Sequence, residues 1–192
     1  MNDFQIHDSA FIDEGVHIGS GTYIWHFCHV MEGAYIGDNC SLGQNVFVGR
    51  NVSIGDGTRI QNNVSLFEGV SIDSGVFLGP SCVFTNDLNP RAGIDRPTVE
   101  THVGFGSTIG ANATIICGND IGKHSFIAAG TVVTKTVPDF ALLIGNPGKV
   151  TGWMCVCGEK LKLQSRTVEK ILHCEKCPET YSFSDGVLKH ID

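Results

Sequence analysis

Two groups of residues in this chain are of the types that do chemistry. The first lies in Phe84-Thr-Asn-Asp-Leu-Asn-Pro-Arg91, where Asn86, Asp87, Asn89 and Arg91 are crowded together, with His102 further on. An amide oxygen can orient a donor, a carboxylate or imidazole can take a proton, and a guanidinium can grip an anion. The second group is Cys155-Val-Cys157 followed by Cys174-Glu-Lys-Cys177. Four thiolates in two closely spaced pairs suit a closed, tetrahedral structural zinc site. Gly158 follows the first pair, as zinc knuckles favour, and the 16-residue gap fits a β-hairpin between two knuckles. The Cys-x-Cys spacing is tighter than usual, so a degenerate, metal-free cluster is the competing expectation.

Other polar and aromatic residues are weaker candidates. Trp25-His26-Phe27-Cys28-His29 and Glu32 form one cluster, and Gln61-Asn62-Asn63 with Phe67 and Glu68 form another. One reading is a platform on which an aromatic ring stacks a base or sugar while His, Asn and Glu bind hydroxyls. The other is that these side chains decorate corners, with Asn62 and Asn63 stacked as a turn ladder. Lys135 and Lys149 place positive charge near the end of the repeats, where the phosphates of a long cofactor would run.

Something must hold these residues in place, and the sequence supplies it as a ladder. Ile6, Ile12, Ile18, Ile24, Val30, Ile36, Leu42, Val48, Ile54, Ile60, Leu66, Ile72, Leu78 and Phe84 are fourteen rungs spaced six apart. After an interruption the ladder resumes as Val103, Ile109, Ile115, Ile121, Ile127 and Val133. The residue two before a rung is small or branched, as at Val46, Val52, Thr58 and Cys82. Glycine often follows the rung, as at Gly19, Gly43 and Gly79. Six is even, so in extended chain every rung falls on one face, whereas in a helix the rungs would wander around the surface. Each hexad is therefore one short strand plus one corner, with the glycine expected to supply the permissive backbone. Hexapeptide periodicity is the signature of a parallel β-helix. An antiparallel sandwich would not keep this register through fourteen units.

From Phe84 to Val103 is 19 residues, one more than three hexads. The break predicts a loop, residues 85–101, extruded from a corner, and long loops on rigid scaffolds usually carry function. The expected division is residues 1–153 as the solenoid and 154–192 as a small zinc-ribbon-like tail capping its end. The formal net charge of -7 argues against a nucleic-acid partner. No apolar run is long enough to span a membrane, and the first residues do not form a signal peptide, so the cytoplasm is expected. Cys28, Cys40, Cys82 and Cys117 lie within the ladders and behave as small hydrophobes.

The chain resembles the hexapeptide-repeat acyltransferases, and more narrowly the nucleotide-sugar N-acetyltransferases of the WbpD/WlbB type. The resemblance covers about residues 5 to 153. It is carried by Ile24-Trp-His-Phe-Cys-His-Val30, Ile60-Gln-Asn-Asn-Val-Ser65, Glu68-Gly-Val70, Phe77-Leu-Gly-Pro-Ser81, Phe84-Thr-Asn-Asp87, Asn89-Pro-Arg91 and Gly145-Asn-Pro-Gly-Lys149. Gly148 departs from the alanine more usual there. The resemblance implies a left-handed helix of three hexads per coil, so that twenty rungs make nearly seven coils. It implies a homotrimer with sites between adjacent prisms and acetyl-CoA lying in the groove. The implied reaction acetylates the 3-amino group of UDP-2-acetamido-3-amino-2,3-dideoxyglucuronic acid, for bacterial surface polysaccharide. On that reading Asn86 orients the amine, Gly104 offers a backbone N–H to the oxyanion, and the departing CoA thiolate takes the proton, with Asp87 and His102 as the nearest side-chain alternatives. Arg91 pairs with a uronate or phosphate. His26, Glu32, Asn62 and Glu68 contact the nucleotide-sugar. Gly104, Ala128, Lys135, Pro147 and Lys149 line the cofactor groove. Three alternatives stay open. They are a dTDP-linked 3-amino-deoxyhexose acceptor, a hydratase similar to γ-carbonic anhydrase drawing on His26, His29, His102 and His124, and a non-catalytic solenoid.

Overall fold

The computed structural model describes residues 3–162 and 170–191, and it is all-β. Two-residue strands recur every six residues from Gln5–Ile6 onward, each ending on a rung. The rungs point inward; Ile24, Val30, Ile36, Leu42, Val48 and Ile54 are fully buried. The small residues two before them, among them Cys28, Val46, Thr58 and Cys82, fill the corners of the same core. Each enclosed aliphatic side chain contributes roughly 1.5–3 kcal/mol relative to exposure.

Three hexads close a coil. Ile6 pairs in parallel with Ile24, Ile12 with Val30 and Ile18 with Ile36. The result is a left-handed parallel β-helix with three faces. The first face runs from Gln5–Ile6 to Ala141–Ile144, the second from Phe11–Ile12 to Val132–Val133 and the third from His17–Ile18 to Thr101–Val103. Bridges from Val103 to Ile121 and from Ile121 to Val137 continue the third face. The helix is longer than the expected seven coils, because Val137 and Leu143 add rungs. They stack on Ile121 and Ile127 at an offset of 16 residues rather than 18, which hides them from a strict six-residue count.

The glycine following each rung has a different role from the one expected. Gly19, Gly37, Gly43, Gly49, Gly55, Gly79, Gly104, Gly110 and Gly122 all lack the positive φ of a left-handed turn. That conformation falls two residues later, on Gly21, Asn39, Asn45, Asn51, Gly57 and Asn63. What the post-rung glycine provides is clearance. A Cβ on Gly43 would stand 2.5 Å from Asn62 Oδ1, and one on Gly79 would stand 2.6 Å from the Ala111 backbone nitrogen.

The second-to-third corner carries the extrusion. Ile72 stacks on Val103, an offset of 31 where Ile54 to Ile72 is 18, so 31 − 18 = 13 residues are inserted. The arm's root is zipped by the Val99 N–H donating to the Asn86 carbonyl (2.9 Å). Near its tip the Ile94 N–H donates to the Arg91 carbonyl (3.2 Å). Thr101, expected inside the loop, already pairs with Val70 and is buried.

At the far end Lys149–Met154 pairs antiparallel with Ala141–Ile144, and Lys160–Leu161 pairs antiparallel with Lys149–Met154. Lys170–His173, Thr180–Ser184 and Val187–Ile191 form a separate antiparallel sheet. Phe183 packs edge-on against Trp153, and Tyr181, fully buried, against Phe140. The hairpin expected between the cysteine pairs is replaced, among the described residues, by these two pairings; residues 163–169 lie outside them.

Candidate functional site

The sequence candidates divide between corners. Asn86 and Asp87 are half-buried at the arm's root, and Arg91 is exposed further out. Asp87 Oδ1 accepts the Asn89 N–H (2.8 Å), a turn that stiffens the root. Arg91 donates to the Pro90 carbonyl (2.9 Å), so its guanidinium meets a backbone oxygen and solvent. Glu32, Glu68 and Lys135 are exposed on the same corner. Glu32 Oε1 accepts from Arg50 Nε (2.7 Å).

The first-to-second corner holds His26, Asn62 and Ala128. The His26 ring stacks on His7 at 3.5 Å between centroids, beside Trp25. Phe27 is exposed with φ of 57°, a left-handed conformation that a bulky aromatic rarely adopts. Local strain of this kind gathers at binding surfaces. Asn62 Oδ1 accepts the Gln44 N–H (2.9 Å), and Asn45 Nδ2 donates to Asn63 Oδ1 (3.1 Å). Asp38, Asp56 and Asp139 accept the N–H groups of Ser20, Asp38 and Lys123 in the same way. The oxygen of Asn62 is thus a rung of a turn ladder. At the end of this corner the Gly145-Asn-Pro-Gly148 turn lies against Thr131 and Val132. Gly145 N–H donates to Thr131 Oγ1 (3.2 Å) and Gly148 N–H to the Val132 carbonyl (2.8 Å). Ala128, Pro147 and Lys149 therefore share one corner, and Lys135 sits across the second face from them.

Gly104 does not fit the role expected of it. It is buried on the third-to-first corner, a whole face away from the arm's root, and its N–H donates to the Ile121 carbonyl at 2.7 Å. A donor committed to the neighbouring coil has no free N–H for a substrate oxyanion.

The structure adds partners that the sequence reading missed. His102 lies on the third face with Nδ1 3.1 Å from Ser71 Oγ and Nε2 3.3 Å from Asp73 Oδ2. Its backbone N–H donates to Asp120 Oδ1 (2.8 Å). Ser71 and Asp73 flank the rung Ile72, stacked directly under Val103. The signal was the 31-residue offset, visible once the arm is excised from the count. A groove of about 430 Å³ runs beside this set under the arm's root, lined by Asn51, Ser53, Ser71, Glu100, His102 and Asp120. A larger cavity of about 590 Å³ lies at the tail, between Trp153, Lys160, Leu161 and Phe183, away from every arm residue. His26, His29, His102 and His124 are spread over separate corners and faces of one chain. His29 Nε2 instead meets Asp13 Oδ1 (3.1 Å), and the His124 ring, its pKa lowered by burial, stacks on Phe140.

The four tail cysteines do converge. Their Sγ atoms all lie within 4.8 Å of one another.

Two family models match the chain. One is described as bacterial transferase hexapeptide (six repeats), over residues 15–50. The other is the hexapeptide repeat of succinyl-transferase, over residues 33–68 and 101–135, the spans on either side of the arm. Both models describe hexapeptide repeats of transferases. The chain is 38% identical over 91 residues to the dTDP-3-amino-3,6-dideoxy-alpha-D-galactopyranose 3-N-acetyltransferase of Aneurinibacillus thermoaerophilus. The match covers 47% of this chain and 45% of that protein, so the chain spans about half the length of that relative. Among solved structures it is similar to the H141A mutant of GDP-perosamine N-acetyltransferase from Caulobacter crescentus, in complex with CoA and GDP-perosamine. There the TM-score is 0.52 at 25% identity, covering 77% of this chain and 55% of that one. It is also similar to a hexapeptide-repeat acetyltransferase of Vibrio cholerae O1 biovar eltor complexed with acetyl coenzyme A. There the TM-score is 0.50 at 27% identity, covering 63% and 70%. Among the described residues no helix is long and apolar enough to cross a membrane.

Proposed function

We propose that the protein transfers the acetyl group of acetyl-CoA to the amino group of a nucleotide-linked amino sugar. The carrying observation is the arm, on a transferase scaffold: a 13-residue insertion that presents Asn86 and Asp87, half-buried, at a zipped root whose returning strand, Glu100 to His102, lines a polar groove. The Aneurinibacillus relative is named for acetylating a 3-amino sugar, and the Caulobacter structure holds CoA with an amino-sugar nucleotide. Those two differ in nucleotide and share the transfer of acetyl to a sugar amine.

The finer assignment is UDP-2-acetamido-3-amino-2,3-dideoxyglucuronic acid, made for bacterial surface polysaccharide. Arg91, whose guanidinium meets only a backbone oxygen among the described residues, suits the uronate carboxylate. The second reading, a dTDP-linked 3-amino-deoxyhexose, is favoured by the name of the Aneurinibacillus relative.

In the reaction the neutral amine attacks the thioester carbonyl, and a tetrahedral oxyanion forms. Its collapse breaks the carbon–sulfur bond and expels the CoA thiolate, which takes the proton released by nitrogen. The side-chain oxygen of Asn86 accepts an N–H of the amine and aims its lone pair; an amide cannot serve as the base. The Asp73–His102–Ser71 set is the alternative proton route. Asn86 and Ala128 stand on opposite edges of the second face, so a compact site containing both draws on two copies of the chain. That arrangement favours the homotrimer, with one copy presenting its arm and its neighbour the Ala128–Pro147–Lys149 corner to acetyl-CoA. The soluble cytoplasm, where acetyl-CoA is made, is the expected setting.

The test is a CoA-release assay with acetyl-CoA and a panel holding the UDP-aminouronate and dTDP-3-amino-3,6-dideoxygalactose. Turnover of the uronate at least tenfold above the deoxyhexose supports the finer assignment, and the reverse order supports the second. No turnover of any amino-sugar nucleotide refutes both.

A further inference from the structure

The tail cysteines take no part in acyl transfer, yet they are gathered with a geometry that sequence proximity alone does not produce. Cys155 and Cys157 come from the loop after the strand Lys149–Met154, and Cys174 and Cys177 from the separate antiparallel sheet. The close sulfur contacts run between the pairs: Cys155 to Cys177 at 3.4 Å and Cys157 to Cys174 at 3.6 Å. A disulfide requires about 2.05 Å, so these are not disulfide bonds. A tetrahedron with metal–sulfur bonds of about 2.3 Å has edges of about 3.8 Å. The sulfur atoms, all within 4.8 Å, already outline such a solid.

Both turns that carry them are closed knuckles. Gly158, at φ of 88°, lets its N–H return to the Cys155 carbonyl (2.9 Å), and the Cys155 N–H donates to the Glu159 carbonyl (2.8 Å). In the second, the Cys174 N–H donates to the Glu179 carbonyl (3.0 Å). Donors also point at the sulfurs. The Lys176 N–H reaches Cys174 Sγ at 3.5 Å. Tyr181 Oη lies 3.1 Å from Cys155 Sγ, and the Val156 N–H donates to that same oxygen at 3.0 Å. With its acceptor side occupied by Val156, the phenol directs its own proton at the sulfur. A fully buried hydroxyl aimed at a thiolate is what supports a ligand from behind.

We propose that Cys155, Cys157, Cys174 and Cys177 bind one structural zinc ion as a tetrathiolate, with Tyr181 as its outer hydrogen-bond donor. Binding exchanges four thiol protons for the dication and leaves a closed site with no position for substrate. The ion joins the strand that extends the first face to the terminal sheet. Tyr181 links it onward to Phe140, and Phe140 to His124 at the corner of the last coils. Zinc thus clamps the tail as the end cap of the solenoid.

The experiment uses the full chain expressed in zinc-supplemented medium. Elemental analysis should find one zinc per chain, and cobalt exchange should give the absorption of tetrahedral cobalt–thiolate. Cys157→Ser and Cys174→Ser should each lose most of the metal, while Cys40→Ala, in the ladder, should retain it. Tyr181→Phe should keep full loading but release zinc to a chelator faster by about ten- to a hundredfold. Hydrogen exchange on the zinc-free protein should quicken across 150–162 and 170–191 and stay slow in the central coils. Metal-free protein with its cysteines reduced, tail disulfides in place of metal, iron held in preference to zinc, or equal metal in the Cys174→Ser variant would each overturn the proposal. None of these readouts depends on the acetyl acceptor.

Discussion

Excising the arm separates its chemistry from the fold. Deleting residues 87–99 leaves Thr85-Asn86-Glu100-Thr101-His102-Val103 after Phe84, one hexad, so Val103 still stacks on Ile72. The connection between the two rungs shortens from 19 steps to 6. With a closure entropy of (3/2)RT ln n, the change favours the folded state by about 1 kcal/mol. Residue 100 then takes the corner's left-handed position, and adding Glu100→Gly removes a strain of about 1–2 kcal/mol there. The folded state gives up Thr98 over Gly69 and Val99 over Gly118, from a segment exposed between Leu88 and Thr98. The terms nearly balance, so the unfolding midpoint should move by no more than about 2–4 °C. Acetyl transfer should fall by at least about a hundredfold, since Asp87, Arg91 and the fixed root of Asn86 go together. Thermal unfolding and kcat/KM by CoA release, measured on one preparation, give both numbers. A folded variant that keeps kcat/KM within tenfold would refute the arm as the acceptor site. Loss of the fold would refute the arm as a separable insertion.

Asn86→Ala should lower kcat by about two to three orders of magnitude with the unfolding midpoint unchanged, because the root bond uses the backbone carbonyl; full kcat would remove Asn86 from the mechanism. Gly79→Val should cost more than about 3 kcal/mol in urea unfolding, since its Cβ would meet backbone atoms of Gly110 and Ala111 that cannot swing aside. Asn62→Ala should cost about 1 kcal/mol by leaving the Gln44 N–H without its acceptor, and should leave KM for the nucleotide-sugar unchanged; a tenfold rise in KM would restore Asn62 to the binding site. Burial pushes the Cys82 thiol from 9.0 up to about 12. A raised folded pKa means full stability below pH 9 and loss as pH climbs from 9 toward 12, with Cys82→Ala showing a flatter fall in urea titrations across that range.

The rungs were legible because inward positions of a solenoid admit aliphatic side chains and little else, so Ile6 to Phe84 repeats without a miss. The arm showed as a break in that rhythm, and the cysteine pairs by spacing. What stayed hidden depends on neighbours between 16 and 32 residues away. Gly43 and Gly79 look like turn residues in sequence, yet their smallness answers to a backbone one coil further on. Gly104 looked like an available donor because a sequence does not show where an N–H points, and in a stacked coil it points at the next carbonyl. Ser71 and Asp73 fell beside His102 only once the inserted residues were counted out. Val137 and Leu143 escaped because the last coil is two residues short.

The zipped root of the arm has a consequence for how such proteins diversify. Each coil touches only the ones directly before and after it, so a segment whose two ends leave and re-enter at one corner perturbs nothing else along the column. Such a segment behaves as a cassette: its length and lettering can drift, or be exchanged for another, while the column that carries the acyl donor keeps its shape. On the proposed function, acceptor preference and donor preference then sit on separately replaceable parts of one molecule.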